Sequence, residues 1–538
     1  MRSLYIFLAL SIALVLRLYP TIVSGLPFSV DAWSPIRNTE LLIEYTPIRL
    51  DDEVFDGYNN YWPGVSLFGA VFSQVTGIRP INLMAAIVPL AGGLTVLFFY
   101  ALISRLSQNH KLAFFASILL ATAFPYTLFM SGVTKETYAN PIYMLSILIF
   151  LGSSKWRKIL LFTIVSVALV LSHHLTTLVT IAILASITLA SSIARAGKGL
   201  SFDNLRLILV SILTATAALY FILFAYRGLK LALTASDILS VASYQTISFA
   251  AALYLTLKPH NSSRARTLLL CSTSAAIVSL SALLCTKRPI VPEAPILPSH
   301  YILYAVPFIL ASPLVILGLG RLREMQCEEC MLPFFWFTTI LGLEGYAVFG
   351  GSPLGLTLAY RTLNFLCIPL AILCAAGLER LYMRTNKPLN QRLKNLVATV
   401  SLLLILTINS YNMYASVSLQ ERYMGYFWLY RLSEYRASAW ISTAAEDQVV
   451  AGDMKASPLL KEYFNVNVDV LQGLRYLTGK ASSEPKILYI YNQMQYNGYV
   501  FYGGYTIDMP IGWTEKTSAL NLIYSNGLVK VHKGVEGA

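Results

Sequence analysis

The sequence predicts an all-α polytopic membrane protein of about thirteen helical spans over residues 1–413, followed by a small α/β domain over residues 414–538. Three observations carry this. The 538-residue chain is 56% hydrophobic and 12% charged, whereas a soluble domain is roughly a quarter charged. Apolar runs of about 20 residues, each long enough to cross a hydrocarbon core of about 30 Å, recur as far as residue 413. Beyond that point charged residues return and short strand-like runs appear. A soluble chain could not hide so many apolar runs, because single cores stop growing at roughly 250–300 residues. The mean hydropathy of +0.61 agrees.

The elements follow in order. Arg2 precedes the first apolar run, as in a signal peptide, but Arg17 interrupts the run and no A-x-A cleavage site follows. This reads as an uncleaved first span, 4–23. The others are 81–103, 112–131, 138–152, 159–172, 175–194, 207–226, 240–257, 267–285, 300–319, 332–350, 362–382 and 395–413. The runs 138–152 and 159–172 fall below the usual minimum of about 17 residues, which tilting or shielding by neighbours accommodates. Between the first two spans, the loop 24–61 holds Asp31, Glu40, Glu44, Asp51, Asp52, Glu53 and Asp56, seven of the 27 acidic residues. Tyr58, Tyr61 and Trp62 follow as interfacial aromatics. Residues 63–77 read as a short amphipathic or re-entrant helix with Pro63 in its first turn, and 227–239 as a possible interfacial segment. In the C-terminal domain, strands are predicted at 447–451, 486–491, 498–502 and 528–532, with helix at about 418–445 and 457–464.

The net charge of +13 does not mark a nucleic-acid binder. Its lysines and arginines fall in short clusters between apolar runs, as the positive-inside bias requires. With the N-terminus cytoplasmic, the inner loops and tail carry about 19 Lys/Arg and the outer ones about 10, which supports that orientation. An odd number of spans then leaves the C-terminal domain outside the cell membrane. Cys327 and Cys330 form a lone C-x-x-C, half of a zinc site at best, and read as free thiols.

Several polar residues sit where chemistry could use them. Asp31, in FSVDAW, is a carboxylate near the membrane surface able to act as a general base, or else an ordinary loop acid. Glu136, in SGVTKETYAN, occupies a tight outer turn. It is a second acid, a partner of Asp31 in binding a divalent cation (Mg or Mn), or simply a partner of Lys135 or a helix N-terminal charge. His173 and His174 lie between the fifth and sixth spans, as hydrogen-bond donors to phosphate oxygens, metal ligands or tolerated turn residues. Arg361, in LAYRTLNF, has the planar fork that grips phosphate, or snorkels to the interface. Glu344 lies deep in the eleventh span and is a further cavity candidate, as are Tyr61 and Trp62. Lys287, Arg288 and His300 make a weaker basic group. No Walker loop, H-E-x-x-H or G-x-S-x-G occurs, so nucleotide hydrolysis, zinc proteolysis and serine hydrolysis have no motif behind them.

One acidic first outer loop, the aromatic-proline run YNNYWPGVSLFGAVF, a second acid in the next outer turn and an outer C-terminal domain together resemble GT-C glycosyltransferases. More narrowly, they are similar to archaeal GT-C proteins related to dolichyl-phosphate-mannose protein mannosyltransferases and to oligosaccharyltransferase catalytic subunits. The resemblance covers residues 1–413. It implies a transferase that takes a sugar from a polyprenyl-phosphate donor and hands it to a glycan, lipid or protein acceptor at the outer face; direct displacement by the acceptor would invert the anomeric centre. On this resemblance Asp31 and Glu136 match the two loop acids, and Arg361 the lipid-phosphate-binding arginine; by its own chemistry His173 or His174 would help Arg361 stabilise the departing phosphate. The sequence departs from the pattern twice: Asp31 stands alone rather than in D-x-D, and there is no W-W-D-Y-G, the nearest tryptophan being Trp513 in IGWTEK. The first departure leaves metal dependence open, and the second favours a single sugar over a whole glycan. A flippase or transporter of lipid-linked sugars, or a membrane scaffold with a glycan-binding outer domain, also needs many spans. Neither internal repeats nor paired broken helices of the transporter kind are visible.

Overall fold

The computed structural model describes residues 2–45, 57–152, 155–196, 203–228, 234–257, 263–289, 295–325, 332–351, 355–383, 388–445, 448–481 and 483–534. The loop acids Asp51, Asp52, Glu53 and Asp56 and the pair Cys327 and Cys330 lie outside the described residues.

Each of the thirteen apolar runs coincides with helix. Among the described residues, ten helices are long and apolar enough to cross a membrane: Ser3–Ser24, Pro80–Ser107, His174–Ala196, Asn204–Leu223, Ala235–Leu257, Arg264–Cys285, Ser299–Glu324, Leu332–Phe349, Thr357–Tyr382 and Gln391–Ser418. The other three depart for visible reasons. Lys135–Phe150 has only 16 residues, and Lys155–Ser172 opens on KWRK, which leaves a short apolar remainder. The run 112–131, expected to be one span, is broken into His110–Thr122 and Phe124–Phe129. Pro125 has no N–H to give the preceding turn. The freed groups find side chains: Thr127 Oγ1 donates to the Ala121 carbonyl (2.9 Å) and the Phe124 N–H to Asn409 Oδ1 (3.1 Å). A break inside a membrane is tolerated only when its backbone is satisfied in this way.

The chain divides into two compact units. The first comprises Met1–Arg17, Ala91–Met130 and Ala139–Met413. Its core is one large apolar cluster that includes Phe99, Leu120, Tyr143, Phe162, Ile183, Ile340, Phe365 and Leu373, all fully or almost fully buried. Helices Ile302–Glu324 and Gly355–Tyr382 meet through glycines. A Cβ on Gly318 would lie 1.8 Å from the Leu373 carbonyl oxygen, and one on Gly377 2.1 Å from that of Leu314. Only glycine permits this approach, the usual device where lipid offers no hydrophobic drive between helices. Near the C-terminal ends of the same two helices, Arg321 pairs with Glu379 (3.2 Å) and Arg380 with Glu324 (2.7 Å).

The second unit comprises Leu18–Leu90, Ser131–Tyr138 and Tyr414–Ala538. It contains a five-stranded mixed sheet: β1 (Val450–Ala451), β2 (Val468–Asp469), β3 (Ile487–Tyr491), β6 (Asn521–Ser525) and β7 (Val529–Lys533), in the order β2-β1-β3-β7-β6. β1 is parallel to β2 and β3, and β7 is antiparallel to β3 and β6. A separate hairpin pairs β4 (Tyr499–Tyr502) with β5 (Tyr505–Ile507). The four expected strands correspond to β1, β3, β4 and β7. The long helix expected over 418–445 is instead the end of the helix Pro388–Ser418, a run of turns, and the helix Leu432–Ala444. At 458–463 the chain forms a π-helical turn. All five β3 side chains are buried, as befits a strand covered on both faces.

Candidate functional site

The segment that carries Asp31 is built around burial. From Leu26 to Ile36 every residue is buried except Asp31, which is exposed. It sits in a single 3₁₀ turn, Val30–Ala32, that leads into the helix Trp33–Glu44. Ser29 enters the turn with φ 94° and ψ 142°, near a region that side chains other than glycine's seldom occupy. Its N–H donates to the Trp428 carbonyl (3.0 Å), and its Oγ accepts from the Asp31 N–H (3.2 Å). The helix that follows buries Trp33 completely, with ring centroids 5.1, 6.1 and 5.5 Å from those of Tyr430, Tyr435 and Tyr463. Glu40 on the same helix accepts from the Tyr463 hydroxyl (2.9 Å). Burial raises its carboxyl above the ordinary value, against the opposing effects of Tyr463 and Arg37. Asp31 is thus an exposed carboxylate on a fixed, strained turn, and not an acid on a solvated loop.

Glu136 lies in the first turn of Lys135–Phe150 and is 1% exposed. Thr134 caps that helix, its Oγ1 accepting from the Thr137 N–H (3.0 Å). A backbone bond links this turn to the first loop: the Val133 N–H donates to the Phe28 carbonyl (3.0 Å). Val133 also shares a small core with Ala32, Ile36, Val65, Met84 and Val88. Segments about a hundred residues apart, one holding Asp31 and the other Glu136, are therefore fastened together.

The aromatic-proline run supplies the third side of this group. The helix Gly64–Thr76 starts after Pro63, which caps it rather than forming its first helical residue. Ser66 Oγ donates to the Pro35 carbonyl (3.1 Å), joining it to the helix after Asp31. Trp62 is buried and Tyr61 half-buried. The Tyr58 and Trp62 ring centroids are 5.3 Å apart, and the Lys135 ammonium lies 3.8 Å from the first and 5.7 Å from the second. Lys135 Nζ also donates to Asn59 Oδ1 (2.5 Å). A partner for Lys135 thus exists outside its own turn. Sequence reasoning named Tyr58 only as an interfacial aromatic and Lys135 only as a local partner of Glu136, and did not single out Asn59. A lysine beside an acid suggests only a local pair, and no spacing relates it to residue 59.

The remaining candidates belong to the first unit. His173, 2% exposed, stands between the helices Lys155–Ser172 and His174–Ala196. Its Nδ1 accepts from the Thr176 N–H (3.4 Å) and lies 2.7 Å from Thr176 Oγ1, so it caps the second helix. An Nδ1 acceptor puts the proton of a neutral ring on Nε2. The His174 ring is 4.9 Å from that of His173. Arg361 is half-buried, its guanidinium 5.7 Å from the Tyr360 ring centre, and Tyr360 stacks on Phe129. Glu344 accepts a hydrogen bond from Thr362, the residue after Arg361.

Among the described residues no three His, Cys, Asp or Glu side chains gather into a metal site. Asp31 and Glu136 would contribute two carboxylates, and magnesium binds to one or two carboxylates plus substrate phosphates.

No family model matches the chain, and no curated protein matches it. Solved structures do. The crystal structure of the Archaeoglobus fulgidus oligosaccharyltransferase, complexed with zinc and sulfate, matches with a TM-score of 0.60 and 14% identity over 91% of this chain and 68% of that one. The crystal structure of ArnT from Cupriavidus metallidurans in the apo state matches with a TM-score of 0.50 and 12% identity over 99% and 98% of the two chains. This chain shares the fold of both, the GT-C fold expected from its sequence. At these identities the likeness is one of fold.

Proposed function

We propose that this chain is an inverting membrane glycosyltransferase, moving a single sugar from a polyprenyl-phosphate donor to a glycan, lipid or protein acceptor at the outer membrane face. The observation that carries the proposal is the exposed Asp31 carboxylate on a rigid turn hydrogen-bonded to the segment that bears Glu136, within a GT-C fold. A polyprenyl tail partitions into lipid while its phosphate and sugar remain at the interface. Asp31 takes the proton from an acceptor hydroxyl. The oxygen attacks the anomeric carbon, the bond from that carbon to the phosphate oxygen breaks, and the electron pair leaves with the polyprenyl phosphate. Direct displacement of this kind inverts the anomeric centre. A positioned general base contributes about 10²–10⁴-fold. Glu136 is the second acid of the site. Arg361 is assigned to the donor phosphate on the resemblance, and His173 or His174 on its chemistry, since guanidinium and imidazole N–H groups stabilise a departing phosphate. The outer-face assignment rests on the bias of Lys and Arg toward the other side.

Membranes containing the protein, incubated with labelled polyprenyl-phosphate sugars, should yield a labelled acceptor. Asp31→Asn should lower the rate by about 10²–10⁴-fold while leaving the protein folded. Full transfer by Asp31→Asn would remove the base assignment. Movement of label across sealed vesicles without any transfer would replace the enzyme with a flippase.

A further inference from the structure

We infer that Asn59 is a positioning residue, which holds the Lys135 ammonium over the Tyr58 ring and joins the segment that carries Glu136 to the segment that carries Asp31. The inference rests on the reading of Asp31 and Glu136 given above. Asn59 lies in the short helix Gly57–Asn60, and its carboxamide is engaged at both ends. Nδ2 donates to Ser34 Oγ (2.5 Å), and Oδ1 accepts from Lys135 Nζ (2.5 Å). Ser34 is buried and stands three residues after Asp31, while Lys135 immediately precedes Glu136. One neutral amide therefore touches both acid-bearing segments.

The pairing suits an amide. It offers a donor at one end and an acceptor at the other, about the spacing needed to bridge a hydroxyl and an ammonium. Leucine offers neither, and aspartate offers acceptors only. A lysine side chain has many rotamers, so it occupies one position only when several groups restrain it. Here the Tyr58 ring face lies 3.8 Å beneath the ammonium and Trp62 5.7 Å away, with Asn59 fixing the direction of one N–H. Lys135 remains half-buried, so a charged ligand can reach the place where its field acts. Asn59 touches no reacting atom in this scheme. It acts through Lys135, whose place it fixes between the two acid-bearing segments.

Competitive acylation of the intact protein with acetic anhydride, read at Lys135 by mass spectrometry with the other lysines as internal reference, tests the restraint without reference to transfer. Asn59→Ala should raise Lys135 reactivity about threefold or more as a charge-favouring hydrogen bond is lost. Asn59→Asp, which fills the same volume and keeps the acceptor, should leave it at or below the wild-type level. In the transfer assay, Asn59→Ala should lower kcat about tenfold with KM for the donor little changed, and Asn59→Asp should recover part of the loss. Unchanged Lys135 reactivity in Asn59→Ala would overturn the inference, even if Asp31→Asn still abolished transfer. An unchanged kcat with altered reactivity would overturn it as well. If Asn59→Ala does not fold, Asn59→Asp against Asn59→Ser gives the same comparison.

Discussion

Lys455 and Lys135 each lie over tyrosine rings in the second unit, Lys455 4.6 Å from the centre of Tyr426 and 5.1 Å from that of Tyr491, Lys135 3.8 Å from that of Tyr58. Their other surroundings differ. Lys455 is fully buried, and its Nζ lies 2.8 Å from Glu434, itself almost fully buried. The other oxygen of Glu434 accepts from the Arg431 N–H (2.6 Å) at the start of Leu432–Ala444. Beside this pair, the buried Asp453 accepts from the Ala456 N–H (2.9 Å), the Val500 N–H (3.2 Å) and the Tyr491 hydroxyl. No ligand reaches these charges, and their work is internal. Lys135 is half-buried and is steered by a neutral amide and an aromatic face. The same cation–π contact thus serves a sealed core in one place and an accessible site in the other.

The contrast breaks most readily at the lysines themselves. Lys455→Met leaves Glu434 buried opposite an apolar side chain, and removing one partner of a buried pair costs about 3–5 kcal/mol. Adding Glu434→Gln should recover much of this, since the amide oxygen can still accept from the Arg431 N–H. Lys135→Met removes a half-buried contact and should cost about 1 kcal/mol or less in stability, while transfer falls. Thermal or denaturant unfolding of the three variants decides the matter. Equal losses for Lys455→Met and Lys135→Met would end the distinction.

Asp453 sharpens the comparison through pH. Burial pushes its carboxyl up to about 6 from an ordinary 3.8, against the hydrogen bonds from Tyr491, Ala456 and Val500 and the charge of Lys455. The folded state therefore binds the proton more tightly than the unfolded state. This contribution is fully present below about pH 4 and is lost as pH rises through about 6, a change of about 3 kcal/mol. Asp453→Asn should remove that slope. Unfolding of wild type and variant at pH 4.5 and 6.5 gives the answer, and parallel curves would show that Asp453 does not titrate there.

What could be read from the sequence follows the range of the interactions involved. Spans were legible because lipid demands a local pattern, a run of apolar residues. The break at Ala123 was not, because Asn409, which satisfies the Phe124 N–H, is far away in sequence. β3 and β7 were visible as apolar runs. β2 has two residues, and β6 (Asn521–Ser525), although apolar at Leu522, Ile523 and Tyr524, has four of its five residues exposed and shows no inside–outside alternation. Asp31 and Glu136 were visible as acids near membrane ends. Their difference in exposure depends on Trp428, Phe28 and Val133 meeting, which no spacing announces. Asn59 between Ser34 and Lys135 is the same case.

The backbone at Ser29 offers the finest test. The site-bearing turn holds a serine at φ 94°, a conformation that costs of order 1–3 kcal/mol outside glycine. Ser29→Ala keeps the strain and loses the bond to the Asp31 N–H, so it should destabilise by about 1 kcal/mol. Ser29→Gly loses the same bond but relieves the strain, and should be the more stable of the two by about 1 kcal/mol. Activity should not follow stability. Glycine frees the turn that aims Asp31, so Ser29→Gly should transfer more slowly than wild type although it unfolds no sooner. If Ser29→Gly gains neither stability over Ser29→Ala nor loses rate, the strained turn is an ordinary loop feature, and the rigidity ascribed to Asp31 must come from the buried residues on either side of it.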